Sequence, residues 1–409
     1  MPLLNFYKLH FVMLAILMCI ALIVGSRALF IGYFMSIILL LLLTKPIQAS
    51  LIKYLSLVFV GLLIFVTFFV KVDSTRGRIF IYKISYRILT DHYIKGIGLG
   101  NFGNIYCEYQ ASYFGSGDFT QKEVALADNT RHAFNDYFQW IIETGIIGFA
   151  LLLTVLVASI CGTRKMFRGN DTQSWIFYFF YGQLAAIVFA AIFTHIFERQ
   201  VLQYLFIISL AIICYYNLPS LHSITAMVSI FIISLLIIYN NRSAIFLSVH
   251  YQKYKVAKSL FQAGYLKEAQ AQYQNQFEYL KDDQQFLLDF ATVEIALNNY
   301  PRAEDMLERC MLYNNGNLVQ FQLADCYFAN GKYKMAEHFY RNSINSVPNR
   351  FISRHKLLQF YLNRKQYTKA KQVAEEIILL PVKISSYDVN RIKANAKEIR
   401  NILISHLNR

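Results

Sequence analysis

Residues 323–340 read Leu323-Ala324-Asp325-Cys326-Tyr327-Phe328-Ala329-Asn330-Gly331-Lys332-Tyr333-Lys334-Met335-Ala336-Glu337-His338-Phe339-Tyr340, and Pro348 follows. A large apolar residue, a small one and an aromatic thus precede Gly-x-Tyr, a second small residue and an aromatic pair. The block recurs downstream as Leu357, Tyr361, Tyr367, Ala370 and Pro381. Upstream copies carry Tyr300 with Ala303, and Gly264-Tyr265-Leu266 with Ala269. The small-residue marks at 269, 303, 336 and 370 are spaced by 34, 33 and 34 residues. A fixed period of this length marks stacked supersecondary units, none of which can bury its apolar face alone. Alanine at a tight crossing lets two helices approach, and aromatics fill the gaps between hairpins. The chain after Tyr251 is therefore predicted to be an array of helix hairpins, closed by a capping helix over Asp388–Leu407 with its Lys and Arg exposed.

The pattern resembles the tetratricopeptide repeat, which implies an α-solenoid over residues 243–409. Arrays of this kind present extended surfaces to peptides and proteins, so a protein partner is expected on the repeats, with a plain scaffold as the alternative.

Residues 1–242 are of another character. The whole chain is 409 residues long, 56% hydrophobic and only 16% charged, with a formal net charge of +15. Nearly all its long apolar runs lie before Asn240, while the charge excess is shared, +7 before residue 243 and +8 from there on. A hydrocarbon core of about 30 Å needs about 20 apolar residues as helix. Seven spans are predicted, at about 10–25, 28–44, 53–71, 137–161, 174–196, 201–217 and 223–240. The expected fold class is all-α: a polytopic transmembrane bundle of about 7 spans in residues 1–242, followed by the solenoid. A nucleic-acid partner is excluded, because half the excess charge flanks apolar runs and no basic-aromatic RNA motif occurs. The six cysteines show no CxxC or Cys/His metal spacing, and Cys310 and Cys326 read as small buried apolar residues.

Lys8, Lys45, Lys53, Arg164, Lys165 and Arg168 all fall on one side of this arrangement. By the positive-inside rule that side is the cytoplasm. The connection 72–136 and the repeats 243–409 then lie outside. A connection this long is not a plain linker. Its Ile79–Thr90 stretch reads as an amphipathic helix at the membrane surface. Gly96-Ile97-Gly98-Leu99-Gly100-Asn101-Phe102-Gly103 lacks the strand–helix context of a dinucleotide loop and reads as a tight backbone turn.

Basic residues gather on that outer side: Arg27 after the first span, Arg76 and Arg78 after the third, and Arg131 with His132 before the fourth. Guanidinium groups pair bidentately with phosphate oxygens and stay charged, so their convergence suits an anionic lipid headgroup such as a diphosphate. Each taken singly reads equally as an interfacial anchor. Tyr82, Tyr86, Tyr93, Tyr106 and Tyr109 suit either sugar stacking or an interfacial belt.

From Ser26 to about Gly148 the pieces resemble the O-antigen ligase/polymerase superfamily of bacterial membrane glycosyltransferases, in that family's order. They are Ser26-Arg27; Gly77-Arg78 with Tyr82; Gly96-Ile97-Gly98-Leu99-Gly100-Asn101-Phe102; and His132-Ala133-Phe134-Asn135-Asp136-Tyr137 followed by Glu143-Thr144-Gly145-Ile146-Ile147-Gly148. Two departures stand out. The family has His directly before Asn, where this chain has Phe134, with His132 two residues before it. The family also carries about a dozen spans, so this chain reads as a C-terminal portion of such a protein.

The resemblance implies transfer of a glycan from an undecaprenyl-diphosphate carrier to an acceptor hydroxyl at the periplasmic face, without a metal or other cofactor. Arg27 and Arg78 are expected to hold the diphosphate and stabilise it as it leaves, with Arg76, Arg131 and Asn135 as further substrate-binding residues. His132 is expected to position or deprotonate the acceptor hydroxyl, and Glu143 to support the turn. Lipid A-core, a second glycan or a protein hydroxyl each fits as acceptor. Membrane lipids complete the set of expected partners. A non-catalytic membrane-anchored scaffold is the rival reading.

Overall fold

The computed structural model describes residues 9–44, 72–163, 175–217 and 248–407. The described residues are helical, with no strand among them. They fall into two compact units: Met1–Arg78, Leu89–Leu99 and His132–Arg242; and Ile79–Ile88, Gly100–Arg131 and Ser243–Arg409.

The first unit holds the apolar helices. α1 (Leu9–Ile23) and α2 (Arg27–Thr44) are separated by a turn at Gly25 and pack against each other. The helix α3 (Val72–His92) follows. α4 (Phe102–Gly115) and α5 (Gln121–Leu126) lie in the second unit. α6 (Asp136–Thr163), α7 (Trp175–Ala190) and α8 (Gln200–Asn217) return to the first. α2 and α7 cross closely at Gly32, where a β-carbon would fall 2.3 Å from the Ala186 carbonyl oxygen. A small residue at such a crossing lets apolar helices gain dispersion contact that a larger side chain would prevent. Tyr33, one residue on, donates its buried hydroxyl to Gln183 Oε1 at 2.9 Å, so the tyrosine hydroxyl is satisfied within this apolar interface.

Asp136–Thr154 is the one described helix long and apolar enough to cross a membrane. Leu9–Ile23, Arg27–Leu41, Trp175–Ala190 and Gln200–Tyr216 are apolar but shorter. The expected bundle of seven spans is thus represented by five apolar helices, one of them of membrane length. The spans expected at 53–71 and 223–240, and the lysines and arginines at 8, 45, 53, 164, 165 and 168, lie outside the described residues.

The second unit is the helix-hairpin array. Its first hairpin pairs α9 (residues 248–262) with α10 (Leu266–Leu280). α11 (Gln284–Ala296) with α12 (Tyr300–Met311), α13 (Asn317–Ala329) with α14 (Tyr333–Ser346), and α15 (Phe351–Asn363) with α16 (Tyr367–Leu379) follow, and α17 (Tyr387–Leu407) caps the stack. Ala269, Ala303, Ala336 and Ala370 are each fully buried, as their spacing predicted. Cys310 and Cys326 are buried as well, and burial pushes both thiols up to about 12, away from reactivity.

Every hairpin turns on one residue in the left-handed region: Gly264, Asn298, Gly331 and Lys365, with φ of 87°, 58°, 78° and 56°. The next residue's N–H then reaches back to a carbonyl of the helix just ended: Tyr265 to Leu260, Asn299 to Glu294, Lys332 to Tyr327 and Gln366 to Tyr361, at 2.8–2.9 Å. That closure satisfies carbonyls which a helix end leaves open.

The connection expected as a loop over 72–136 is largely helical, and residues 100–131 pack with the repeats. α4 lies on α14. Gln110 donates to the carbonyls of Asp128 and Ser346, Asn129 Nδ2 donates to Asn317 at 2.8 Å, and Asn349 donates to the Ala127 carbonyl at 2.8 Å. Arg350 pairs with Asp128 at 2.9 Å. Tyr106 and Cys107 are buried in this packing, so Tyr106 is a core residue rather than a sugar platform or belt residue. Lys83 Nζ lies 2.6 Å from Glu123 and 2.7 Å from the Tyr113 hydroxyl. Burial pushes the Glu123 carboxyl up, but hydrogen bonds from Lys83, the Thr120 N–H and Tyr113 outweigh it and hold it at about 2.

Candidate functional site

The site is built on a helix break and a polar turn in the first unit. α6 runs through Gly145, whose φ of 68° and ψ of −172° are not helical. The broken turn leaves the Ile142 and Glu143 carbonyls open. They accept the N–H groups of Ile97 and Gly98, at 3.0 and 2.9 Å. On the far side of the break Ile146 N–H donates to the Tyr93 carbonyl at 2.9 Å. Gly96, Gly98 and Gly100 all have positive φ, so the glycine run is a backbone turn as its sequence predicted. The two glycine-containing blocks, nearly fifty residues apart, complete each other's hydrogen bonds.

Glu143 is buried and accepts from Gln139 Nε2 at 3.1 Å, while Gln139 Oε1 accepts the Ala133 N–H at 3.1 Å. The pair anchors the strand of chain that carries His132. Asn135 accepts the Phe138 N–H at 3.0 Å through its side chain, capping α6. Phe134, in the place where the resembling family has its histidine, takes φ of 56°. That left-handed kink is uncommon for a bulky residue and is one of the strained conformations that gather at functional sites.

Facing His132 is the segment between α7 and α8, which carries His195, Glu198 and Arg199. Asp136, the first residue of α6, holds it in shape. Its Oδ2 accepts the Ile196 N–H at 2.6 Å and the Phe197 N–H at 3.3 Å, and its own N–H donates to the Ala191 carbonyl at 2.9 Å. Tyr137 donates to the Val188 carbonyl at 2.8 Å. Arg78 Nη1 donates to the Phe193 carbonyl at 3.1 Å, with its guanidinium 5.4 Å from the centre of the Phe134 ring.

On this frame His132 Nδ1 pairs with the Glu198 carboxylate. The His132 and His195 rings stack at 4.5 Å and 21°, and Phe134 meets His195 edge-on at 5.6 Å. A histidine with one ring nitrogen beside a carboxylate keeps the other for a substrate. The ligand atoms of His132, His195 and Glu198 lie within 4.8 Å of one another, the reach and donor set that a divalent cation such as zinc needs. Arg78 and Arg199 lie near enough to act on the charge of His195. Their positive charge opposes a cation and favours an anion.

Of the residues expected from sequence, the fold brings Arg78 and His132 into this cluster. Arg27 opens α2 and is exposed; the two residues after it, Ala28 and Leu29, pack against Ile187, Ala190, Ala191, Ile196 and Leu202 beneath the same turn. Arg76 is exposed on α3. Arg131 is exposed and belongs to the second unit, its backbone against Gly103. Asp136, His195 and Glu198 were not singled out from sequence. His195 lies at the end of an apolar run that reads as a span, and Glu198 and Arg199 follow it in the short connection to the next one. A histidine and an acid three residues apart, closing an apolar run, were the available signal.

Residues 12–153 match the family model described as O-Antigen ligase, which bears out the resemblance of the motifs between Ser26 and Gly148. No curated protein matches the chain. Solved structures that match include YrrB, described as a TPR protein with an unusual peptide-binding site, at 14% identity, TM-score 0.31, and coverage of 38% of this chain and 76% of that one. MamA matches at 14% identity and TM-score 0.31, over 37% and 91%. MamA from Desulfovibrio magneticus RS-1 matches at 13% identity and TM-score 0.32, over 39% and 91%.

Proposed function

We propose, from the O-antigen ligase match over residues 12–153 taken together with the cluster of Arg78, His132, His195 and Glu198, that the chain is a membrane glycosyltransferase. It moves a glycan from an undecaprenyl-diphosphate carrier to an acceptor hydroxyl. The observation that carries this reading is the pairing of His132 with Glu198, with His195 stacked on His132 and the Arg78 guanidinium held at the Phe193 carbonyl beside Phe134.

The reaction runs as a substitution at the anomeric carbon. The acceptor oxygen forms the new bond to that carbon as the bond to the diphosphate oxygen breaks, and undecaprenyl diphosphate departs with the electron pair. His132 takes the acceptor proton, and Glu198 steadies the imidazolium that forms. Arg78 and Arg27 hold the diphosphate and offset the charge it gains in leaving. His195 supports the His132 ring by stacking, and Asp136 holds the turn that carries both His195 and Glu198. Arg76, Arg131 and Asn135 are assigned lesser roles: Asn135 shapes the site as a helix cap, and the two arginines are assigned to substrate binding. No metal is needed for these steps.

Residues 1–242 are assigned to the membrane domain and residues 243–409 to a periplasmic repeat domain of a bacterial inner-membrane protein. The acceptor belongs to one of three classes: lipid A-core, a second glycan repeat, or a protein hydroxyl.

Alanine at Arg27, Arg78 or His132 should abolish glycan transfer while protein levels stay normal; retained transfer in all three variants would sink the reading. A chelator should leave the rate unchanged. Loss of activity on chelation, restored by zinc, would instead give His132, His195 and Glu198 to a metal. An alkaline phosphatase fusion after Arg242 should be active, and an inactive fusion would contradict the assigned topology.

A further inference from the structure

In the second unit α4 and the repeats enclose an open cavity of about 520 Å³. Ligand pockets commonly occupy about 300–1,000 Å³, so its size suits a short oligosaccharide segment. The lining is unusual in kind. Asn315, Gln320, Asn342 and Asn345 supply side-chain amides, Ser112 a hydroxyl, and Glu108 the one charge.

The deep wall is fixed before any ligand arrives. Asn315 and Gln320 are buried, at 7% and 3% exposure. Gln320 Nε2 donates to the Asn315 carbonyl at 2.9 Å and to its side-chain oxygen at 2.7 Å, while Gln320 Oε1 accepts from the Ser346 hydroxyl at 3.2 Å. Asn315 Nδ2 in turn donates to Glu108 Oε1 at 3.1 Å, which orients the carboxylate. Gly115 keeps the opposite wall low: a β-carbon there would sit 3.2 Å from Asn345 Nδ2.

Amides offer donors and acceptors side by side, and a carboxylate accepts from two neighbouring hydroxyls. Sugar hydroxyls need that mixture, since each both donates and accepts. The lining contains no Lys, Arg or His, so nothing in it rewards a phosphate or a uronic acid, and Glu108 repels both. We propose that this cavity is a subsite for uncharged sugar residues of a glycan. The choice of a glycan over other polyhydroxylated ligands rests on the glycosyl-transfer reading above; the neutral, hydroxyl-rich character of the ligand rests on the lining alone.

The test uses the full chain in phosphatidylglycerol/phosphatidylethanolamine nanodiscs, because maltoside detergents carry a sugar headgroup of their own. Maltotriose, chitotriose and mannotriose are the neutral probes and trigalacturonate is the acidic control, each followed by saturation-transfer NMR. At least one neutral trisaccharide should bind with millimolar affinity, trigalacturonate should not, and Gly115→Leu or Asn345→Leu should weaken binding at least tenfold at an unchanged melting temperature. Binding of none of the neutral probes overturns the proposal, as does binding that both cavity variants leave intact or a preference for trigalacturonate. Arg78→Ala separates this proposal from the catalytic one: it should lose transfer and keep sugar binding. If instead Arg78→Ala, Arg27→Ala and His132→Ala all retain transfer while cavity binding behaves as expected, the catalytic reading fails and the subsite stands.

Discussion

Gly96 and Gly145 meet backbone to backbone. A β-carbon on Gly96 would fall 2.6 Å from the Gly145 nitrogen, and one on Gly145 would fall 2.8 Å from the Gly96 nitrogen and 2.1 Å from the Ile94 carbonyl oxygen. Their positive φ angles, 70° and 68°, are a second reason for glycine at both places. The break in α6 and the Gly-x-Gly turn are therefore one structure contributed by two distant parts of the chain.

Alanine at either glycine should be far more damaging than alanine at an ordinary turn. The left-handed conformation alone costs about 1–2 kcal/mol with a β-carbon. The overlap with backbone adds a shift of one segment against the other, for a total of about 4 kcal/mol or more. Gly100 is the control: its φ is 78°, but nothing lies within 4 Å of the added carbon, so only the conformational cost applies. Thermal unfolding of the detergent-extracted variants checks this, with Gly100→Ala expected to melt well above the other two. Equal melting of all three would show that the overlap relaxes freely.

Asp136 should prove essential to transfer without touching substrate. Removing its carboxylate leaves the Ile196 and Phe197 N–H groups without their acceptor, at about 1–3 kcal/mol each. Asp136→Ala should therefore loosen the 191–199 turn and cost most of the activity, whereas Asp136→Asn keeps an acceptor oxygen and should retain more. Glu198→Gln should lower kcat about 10–100-fold, about 1.4–2.7 kcal/mol of barrier, at little change in KM for the acceptor. A change confined to KM would place Glu198 in acceptor binding instead.

The Lys83–Glu123 pair sets an acid limit on the second unit. Glu123 is held at about 2 in the folded chain, below its ordinary value of 4.5. The stabilisation is therefore fully present above the unfolded value and fades as pH falls from there toward 2. The pair is partly exposed, and solvent screening limits its worth to about 1 kcal/mol. Glu123→Gln should lower stability by about that amount at pH 7 and by less at pH 3. Denaturant unfolding at the two pH values reads the difference, and an equal loss at both would remove the ionic contribution.

Three of the hairpin turns should respond differently to substitution. Gly331→Ala places a β-carbon in the left-handed region and should destabilise the array by about 1 kcal/mol. Lys365→Gly removes that penalty and should stabilise it by a few tenths to about 1 kcal/mol, reduced by the greater freedom of glycine in the unfolded chain. Asn298→Gly should change little, since Asn tolerates the conformation. Melting temperatures in the same buffer test the order.

The amino-acid sequence by itself determined the repeat array: Ala269, Ala303, Ala336 and Ala370 recur at a fixed period, and each is buried at the equivalent place. Short-range periodicity is enough there, because each hairpin packs mainly on its sequence neighbours. The turn at Gly96 and Gly98 was legible for a similar reason, as glycine and backbone geometry are local properties. Only the tertiary structure decided that residues 100–131 pack with the repeats, that Tyr106 is core, and that His132 meets Glu198 and His195. Those pairings join residues some sixty to more than two hundred positions apart and leave no periodic trace. They are set by which buried donors and acceptors find each other when the helices pack, and Asp136 binding the Ile196 N–H is the contact that brings the two halves of the site together.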